Sequence, residues 1–380
     1  MTALPGLRLV CVAPDTVVPP ANGSAARTLG LAAAVRPHLG GVTICCFSSA
    51  PVPLNRPPGV ELIHLPRPAG GAALLAHRMR LLLGRTLGFR FPAPLGGPGA
   101  LVKLESPLLY EAARRAGLGG FVLDAHNVYQ DLGAFPQARL GDRVFQRLTL
   151  RRQARIESAC WSAAAHIVFC STVDRDRAAA LAPGVAAKST VVPNCVDTRA
   201  FRPRPAPAFA RGGPVVFIGT TRYPPNYFAV EEICHTLAPA LPDLEFWIVG
   251  DAPQRPPRVP GNVRFLGRVD STGAVLAGAQ LALAPVRHGS GTRLKLLEYF
   301  AAGLPVVCTA KAAEGLAVED GRHVRLADTP DAIREAIRAL HADARAAAAL
   351  GAAARQLVEA RYDWQAHVPA LLSVCAGLAR

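Results

Sequence analysis

The chain has 380 residues, of which 51% are hydrophobic, and it carries a formal net charge of +15. This length is enough for two domains of about 100–200 residues each, and the apolar composition excludes a chain that is disordered throughout. The basic residues are scattered and only 6% of residues are aromatic. These features disfavour a base-stacking nucleic-acid surface and favour phosphorylated ligands or an anionic membrane as partners.

Short apolar runs alternate with helical patterns through the first half of the chain. Because the strands are continuously apolar and helices separate them, they predict a parallel sheet that is covered on both faces. The predicted strands are 7–14, 42–48, 60–65, 121–126, 166–171 and 189–194, and the predicted helices are 24–38, 71–84, 104–117, 138–163 and 173–182.

The alternation stops at 198–214, where proline, arginine and glycine dominate, and then restarts. The second half has predicted strands at 214–219, 245–250, 263–267, 281–286 and 305–309, with helices near 226–239, 271–279, from 292, and from 330 to the end. We therefore predict an α/β protein of two doubly wound Rossmann-like domains that face a cleft. The predicted domains are 1–200 and 214–355, with a linker at 201–213 and a C-terminal helix at 356–380 that crosses back.

The nine cysteines show no C-x-x-C pair and no zinc-ligand spacing. We expect buried thiols in a reducing compartment, no metal and no cofactor. Neither a signal peptide nor an apolar run of the roughly 18–20 residues that span a membrane is visible. The expectation is a cytoplasmic protein, with peripheral contact at the inner face of the membrane as an open alternative.

One stretch, "HGSGTRLKLLE" at 288–298, combines a glycine loop with the start of a helix. Gly289 and Gly291 allow close approach of backbone N–H groups to a ligand, and a helix N-terminus favours an anion. Gly291, Lys295 and Glu298 are spaced to share one helix face. Two interpretations stay open: a diphosphate with a ribose bound along this face, or an ordinary i, i+3 Lys–Glu surface pair.

The stretch "GSGTRLKLLEYFAAGLPVVCT" resembles the signature of retaining glycosyltransferases of family 4, which have the GT-B fold. Its G-S-G-T-R-x-K loop is similar to that of one subgroup. Weaker similarities follow in the family's order and cover nearly the whole chain: "PPANGSAARTLGLAAAV" (19–35), "DAHNVY" (124–129), "VVPNCVD" (191–197) and "FIGTTRYPPN" (217–226).

The resemblance implies a role for each matching residue. It implies that Glu298 binds the donor ribose and that His126 lies near the transferred sugar. The loop of Gly289, Ser290, Gly291 and Thr292 would face the diphosphate and sugar, Val269 belongs to the loop that meets the base, and Gly23 would approach the donor phosphates.

Two departures from the family pattern change the expected chemistry. Ser290 stands where the family has the first of two glutamates, and Thr220 and Asn226 stand where it has a basic pair. We therefore expect Arg293 and Lys295 to neutralise the leaving diphosphate, with Arg222 as a further phosphate contact. His126, Arg293 and Lys295 form the predicted catalytic set.

The predicted function is a metal-independent, retaining, hexosyltransferase-type enzyme. It would move a sugar from a nucleotide-sugar such as a UDP-sugar to an acceptor in polysaccharide biosynthesis, to a lipid-linked glycan or to a small molecule. Ser290 leaves open a degenerate scaffold that acts as a binding subunit, and a nucleotide-sugar 2-epimerase is a further alternative. No G-x-G-x-x-G follows the first strand of either half, which disfavours an oxidoreductase.

Several basic residues and segments allow two interpretations each. Arg27 could bind donor phosphate or be a solvated surface residue, and His126 could be only a structural hydrogen-bonder. A basic stripe could contact an anionic membrane or form a solvated face. The amphipathic, basic stretch 73–89 could be an acceptor element or a membrane element. The stripe consists of Arg139, Arg143, Arg147, Arg151 and Arg155.

Overall fold

The computed structural model describes residues 3–18, 20, 22–48, 57–66, 91, 95, 97–131, 140–203, 213–251 and 258–379. They form two compact units, one of Met1–Pro193 with His367–Arg380 and one of Asn194–Ala366. The predicted helix at 71–84, the stretch 73–89, Arg139 and most of the predicted linker lie outside the described residues.

The first unit is built on a seven-stranded parallel sheet of order β3-β2-β1-β4-β5-β6-β7. Its strands are β1 Leu4–Ala13, β2 Leu39–Ser48, β3 Val60–Pro66, β4 Ala100–Leu104, β5 Val122–Ala125, β6 His166–Phe169 and β7 Ser189–Val191. Its helices are α1 Gly23–Val35, α2 Tyr110–Arg115, α3 Leu140–Ala163, α4 Thr172–Leu181 and α5 Gly184–Ala187. Short 3₁₀ turns lie at Arg36–His38, Pro107–Leu109 and Tyr129–Asp131.

The prediction of a helix at 104–117 is wrong at its start, because β4 and a 3₁₀ turn occupy the region before α2. Lys103 interrupts the apolar run of β4, and Glu105 follows it directly. Both side chains are nonetheless buried. A hydropathy pattern cannot distinguish such a strand from a polar segment.

The second unit has a six-stranded sheet of order β10-β9-β8-β11-β12-β13. Its strands are β8 Val215–Ile218, β9 Phe246–Val249, β10 Val263–Gly267, β11 Leu281–Ala284, β12 Val306–Cys308 and β13 Arg325–Leu326. The helices are α6 Pro224–Glu232, α7 Ala238–Ala240, α8 Thr272–Gly278, α9 Leu294–Ala301, α10 Ala310–Ala313, α11 Pro330–Ala342, α12 Ala344–Arg361 and α13 Trp364–Leu378. A short π-helix at Ile233–Leu237 joins α6 to α7, and Thr198–Ala200 is a 3₁₀ turn.

The prediction of two doubly wound parallel-sheet domains is confirmed, but their limits differ from those predicted. The first unit ends at Pro193, before the predicted boundary at 200, and the returning segment begins at His367, after 356. Pairing between Val196 and Asp363 explains the earlier limit, since it fixes the segment after Pro193 to the second unit. Thr198 strengthens this attachment by donating its hydroxyl to Asp363 Oδ2 at 2.7 Å.

Strand order places the candidate residues. In both sheets the order in which strands are added reverses beside the first strand, at β1/β4 and at β8/β11. Ligands of doubly wound sheets bind beyond the carboxyl ends of the strands at such points. All nine cysteines are buried, as predicted. No helix among the described residues is long and apolar enough to cross a membrane.

Candidate active site

The glycine loop follows β11 in the second unit and leads into α9. Gly289 has φ 100° and Gly291 φ 74°, a left-handed conformation that favours glycine. A Cβ on Gly289 would lie 2.4 Å from the Tyr223 hydroxyl oxygen and 3.2 Å from an Arg293 guanidinium nitrogen. Glycine is therefore required here both by the backbone angle and by the close packing of the loop.

Arg293 folds back onto this loop. The predicted helix start near 292 is wrong by two residues, because Arg293 is the N-cap of α9 and has extended backbone angles, φ −89° and ψ 100°. Its Nη1 donates to the backbone oxygens of Ser290, at 2.6 Å, and Gly291, and its Nη2 donates to that of His288 at 3.1 Å. The guanidinium thus fixes the loop conformation while adding a positive charge beside it.

Asn194 holds the other side of the loop. Its Nδ2 donates to Thr292 Oγ1 at 2.7 Å and to the Thr292 backbone oxygen at 3.2 Å, and both residues are buried. Ser290 is also buried. The loop that precedes α9 is therefore braced before any ligand arrives.

The Lys295 ammonium lies in closely packed surroundings. Its Nζ donates to Asn226 Oδ1 at 2.7 Å and lies 4.0 Å from the centroid of the Phe217 ring. A Cβ on Gly219 would be 2.8 Å from the same nitrogen. Burial, with a smaller contribution from the Arg293 charge, holds the pKa of Lys295 well below its usual value. An anion at this point would favour the charged form of the Lys295 amine.

Glu298 lies one turn further along α9 and is half-buried. Burial raises its pKa to about 7, although a hydrogen bond from Thr272 and the Lys295 charge act in the opposite direction. The carboxyl therefore exchanges its proton near neutral pH. It is suited to accept hydrogen bonds from hydroxyls once it is ionised.

Arg222 is paired with Asp251, which lies beyond β9. Arg222 Nε is 3.2 Å from Asp251 Oδ2, and Arg268 Nε is 2.6 Å from Oδ1. The hydrogen bond from Arg268 is the main cause that lowers the pKa of Asp251. The Arg222 side chain is 77% exposed. Because it is paired with Asp251, it would have to break this ion pair to bind a phosphate. Val269, close to Arg268 in sequence, is half-buried against the core.

The first unit holds a buried ionic network that the sequence patterns did not reveal. Four of its members are at most 1% exposed: Arg27 on α1, Lys103 in β4, Glu105 after it, and Asp124 in β5. Arg27 Nε is 3.0 Å from Asp124 Oδ1, and Lys103 Nζ is 2.5 Å from Asp124 Oδ2 and 2.7 Å from Glu105 Oε1. The interpretation of Arg27 as a solvated surface residue is wrong.

His126 ends this network. It follows β5, its side chain is 10% exposed, and its Nε2 lies 3.1 Å from Glu105 Oε2 and 3.8 Å from Asp124 Oδ1. Glu157 of α3 holds the loop beyond it, because its buried carboxylate accepts the backbone N–H groups of Tyr129 at 3.0 Å and Gln130 at 3.2 Å. Burial raises the pKa of Glu157 to about 7 despite these bonds.

Three side chains of the network could geometrically offer ligands to a metal. The donor atoms of Glu105, Asp124 and His126 lie within 4.8 Å of one another. However, the Lys103 ammonium already bonds both carboxylates, and Arg27 bonds Asp124. Two cations balance two carboxylates, so a divalent ion would have to displace Lys103. The donor set fits an ion-pair network better than a metal site.

The predicted residues therefore lie in two separate groups. The second unit brings together the loop and helix residues 289–298 with Tyr223, Asn226 and Gly219. In the first unit, His126 belongs to the ionic network, and Gly23 is the exposed first residue of α1, capped by Asn22, whose Oδ1 accepts the Ala25 N–H at 2.9 Å. The residues that sequence reasoning missed are Lys103, Glu105, Asp124, Glu157 and Asp251. The available signal was the pair of charges in and beside the apolar run of β4.

Comparison with known proteins gives one family match and several structures of the same fold. Residues 212–343 match the family model described as glycosyl transferases group 1. This segment of the chain is therefore similar to the group 1 glycosyltransferases. The matched residues include the whole glycine loop and α9, so the family signal lies on the elements that form the candidate donor site. No curated protein sequence matches the chain significantly.

Solved structures share the fold over nearly the full chain. The sucrose-phosphate synthase of Thermosynechococcus elongatus has a TM-score of 0.71 at 18% identity, covering 98% of this chain and 99% of that one. The Anabaena protein Alr3699/HepE in complex with UDP gives 0.63 at 13% identity, with 98% and 100% covered. WaaG, a glycosyltransferase involved in lipopolysaccharide biosynthesis, gives 0.64 at 16% identity, with 98% and 100% covered. These likenesses confirm the predicted GT-B fold.

Proposed function

We propose that this glycosyltransferase uses a nucleotide-sugar donor, most simply a UDP-sugar, and transfers the sugar to a hydroxyl group with retention of configuration and without a metal. The observation that carries the proposal is the Lys295 ammonium beside the glycine loop at the start of α9. A desolvated cation, backbone N–H groups and a helix N-terminus at one place favour a diphosphate.

Leaving-group stabilisation follows from these groups. When the bond between sugar and diphosphate breaks, negative charge builds on the diphosphate. Fixed cations and N–H dipoles in a poorly solvated site stabilise that charge without reorganising. In this proposal Lys295 contacts the diphosphate, and Arg293 keeps the loop in shape and adds its field.

Glu298 would hold the donor ribose through its vicinal hydroxyls. Gly289, Ser290, Gly291 and Thr292 would contact the diphosphate and sugar, mainly through the backbone. Loop residue Val269 would face the base, and Gly23 and Arg222 are proposed phosphate contacts. His126 would contact a substrate hydroxyl.

Metal independence is part of the proposal. Lys295 and Arg293 supply positive charge at the leaving group, which is the electrostatic task that a divalent ion has in other phosphate chemistry. The acceptor would be a glycan, a lipid-linked glycan or a small molecule. Contact of a cytoplasmic enzyme with the inner face of an anionic membrane is supported by three exposed residues of α3, Leu148, Arg151 and Arg155.

Thermal unfolding of the full chain with UDP, GDP, dTDP and ADP in EDTA tests the donor site. A nucleotide at 100 times its dissociation constant adds about 2.7 kcal/mol to the free energy of unfolding. One nucleotide should raise Tm for the wild type and for the exposed control Glu335→Gln. Lys295→Met and Glu298→Ala should each lose the rise. If no nucleotide raises the wild-type Tm, the donor site is refuted and the binding-subunit alternative is favoured.

A further inference from the structure

The ionic network of the first unit extends from a buried core to a partly solvated histidine. Arg27, Lys103, Glu105 and Asp124 are essentially inaccessible to solvent, whereas the His126 side chain is 10% exposed. Glu105 and His126 follow adjacent strands β4 and β5, at their carboxyl ends. This edge of a doubly wound sheet is where ligands bind.

Fold stability does not account for this network. Moving ions out of water is costly, and replacing a buried ion cluster with apolar residues of similar volume is often neutral or stabilising. The strands β1, β4 and β5 otherwise contribute apolar side chains to the core. What the ions supply is a fixed charge and a fixed geometry at the end of β4.

Glu105 is held in one ionisation state by its neighbours. Burial alone would raise its pKa, but the Lys103 ammonium and the hydrogen bond with His126 together outweigh burial and lower it. Asp124 shares the same ammonium and also bonds Arg27, and these cations hold the pKa of Asp124 far below its usual range. The carboxylate that faces His126 is therefore an acceptor only.

We propose that Glu105 is a positioning residue for His126: its carboxylate accepts the Nε2–H of the neutral imidazole, which fixes the ring and makes Nδ1 the accepting nitrogen. Lys103, Asp124 and Arg27 hold Glu105 in place, and the substrate partner of His126 is a hydroxyl donor. This inference rests on the proposed transferase function, since His126 is the group that contacts substrate.

Imidazole tautomers can be read directly by NMR of the full chain labelled with ¹⁵N-histidine. The His126 signal is identified by its loss in His126→Asn. Whenever the imidazole is neutral, the wild type should show the Nε2–H tautomer. The Nδ1–H tautomer overturns the proposal. No variant of Glu105 needs to fold for this result.

Kinetics then separate positioning from a merely structural role. Glu105→Gln keeps the side-chain shape and should lower kcat about 10²-fold with little change in the donor KM. Glu105→Asp, which retains the charge, should recover part of the loss. The matched control is Glu61→Gln, which removes an exposed carboxylate that pairs with Arg8 in the same unit, and it should leave kcat unchanged.

A double-mutant cycle completes the test. If Glu105 acts through His126, adding Glu105→Gln to His126→Asn should change kcat by less than about twofold. Additive losses, or a Glu105→Gln enzyme with wild-type kcat, overturn the proposal. If the wild type has no transferase activity and binds no nucleotide, the proposed function fails. The NMR result still decides whether Glu105 positions His126.

Discussion

Replacing Glu298 with glutamine should change how the stability of the protein depends on pH. The folded state raises the pKa of this carboxyl from its ordinary value of 4.5 to about 7. A folded-state pKa above the unfolded one means that the folded protein binds the proton more tightly. The stabilising contribution of protonated Glu298 is therefore complete below the unfolded pKa and is lost as pH rises through about 7.

The size of the effect follows from the shift. From 4.5 to about 7, at roughly 1.36 kcal/mol per pKa unit, the loss is about 3 kcal/mol. Glu298→Gln does not titrate, so it should become more stable than the wild type by up to about this amount on the alkaline side. On the acid side, below the unfolded pKa, the two proteins should differ little from this cause.

Urea unfolding of wild type and Glu298→Gln across the pH range from acid to mildly alkaline measures this difference. Glu335→Gln, which removes an exposed carboxylate from α11, is the control and should stay within about 0.5 kcal/mol of the wild type. A stability difference between Glu298→Gln and wild type that does not change with pH would refute the reasoning. It would show that Glu298 is solvated well enough to ionise at its ordinary pKa.

Two glycine substitutions should separate the site from the scaffold. Gly219→Ala places a Cβ 2.8 Å from Lys295 Nζ, so the ammonium must move. UDP affinity, measured by calorimetry, should fall about tenfold, or ~1.4 kcal/mol. Unchanged affinity would show that Lys295 does not contact the donor. Gly351→Ala places a Cβ 2.1 Å from the Gly303 backbone oxygen and should lower the free energy of unfolding by about 1–3 kcal/mol. Gly377→Ala, where a Cβ meets nothing within 4 Å, is its control, and equal unfolding curves for these last two variants would contradict the packing argument.

Much of the fold could be predicted because its strands are apolar and bounded by clear turns. The runs 166–171 and 281–286 contain β6 and β11, and their burial on both faces is what continuous apolar strands imply. The strand β4 was missed for the opposite reason. Its Lys103 is buried by ion pairing with residues that are distant in sequence, and a local pattern carries no information about such pairing.

The candidate donor site was predicted in composition but not in geometry. The departures from the family pattern at Ser290, Thr220 and Asn226 suggested that Arg293 and Lys295 both contact the diphosphate. The structure distinguishes them, because the extended backbone at Arg293 returns its guanidinium to the loop carbonyls. Lys295 instead meets Asn226, which lies on α6. That contact depends on tertiary packing, so no spacing rule within 288–298 could show it.

The most direct test of the account is release of nucleoside diphosphate from a panel of UDP-, GDP-, dTDP- and ADP-sugars, in EDTA and with a mixture of glycan and alcohol acceptors. The wild type should turn over one donor class without added metal, and Lys295→Met should be slower by about 10²-fold or more. Turnover that requires a divalent metal, or equal rates for the wild type and Lys295→Met, would contradict it.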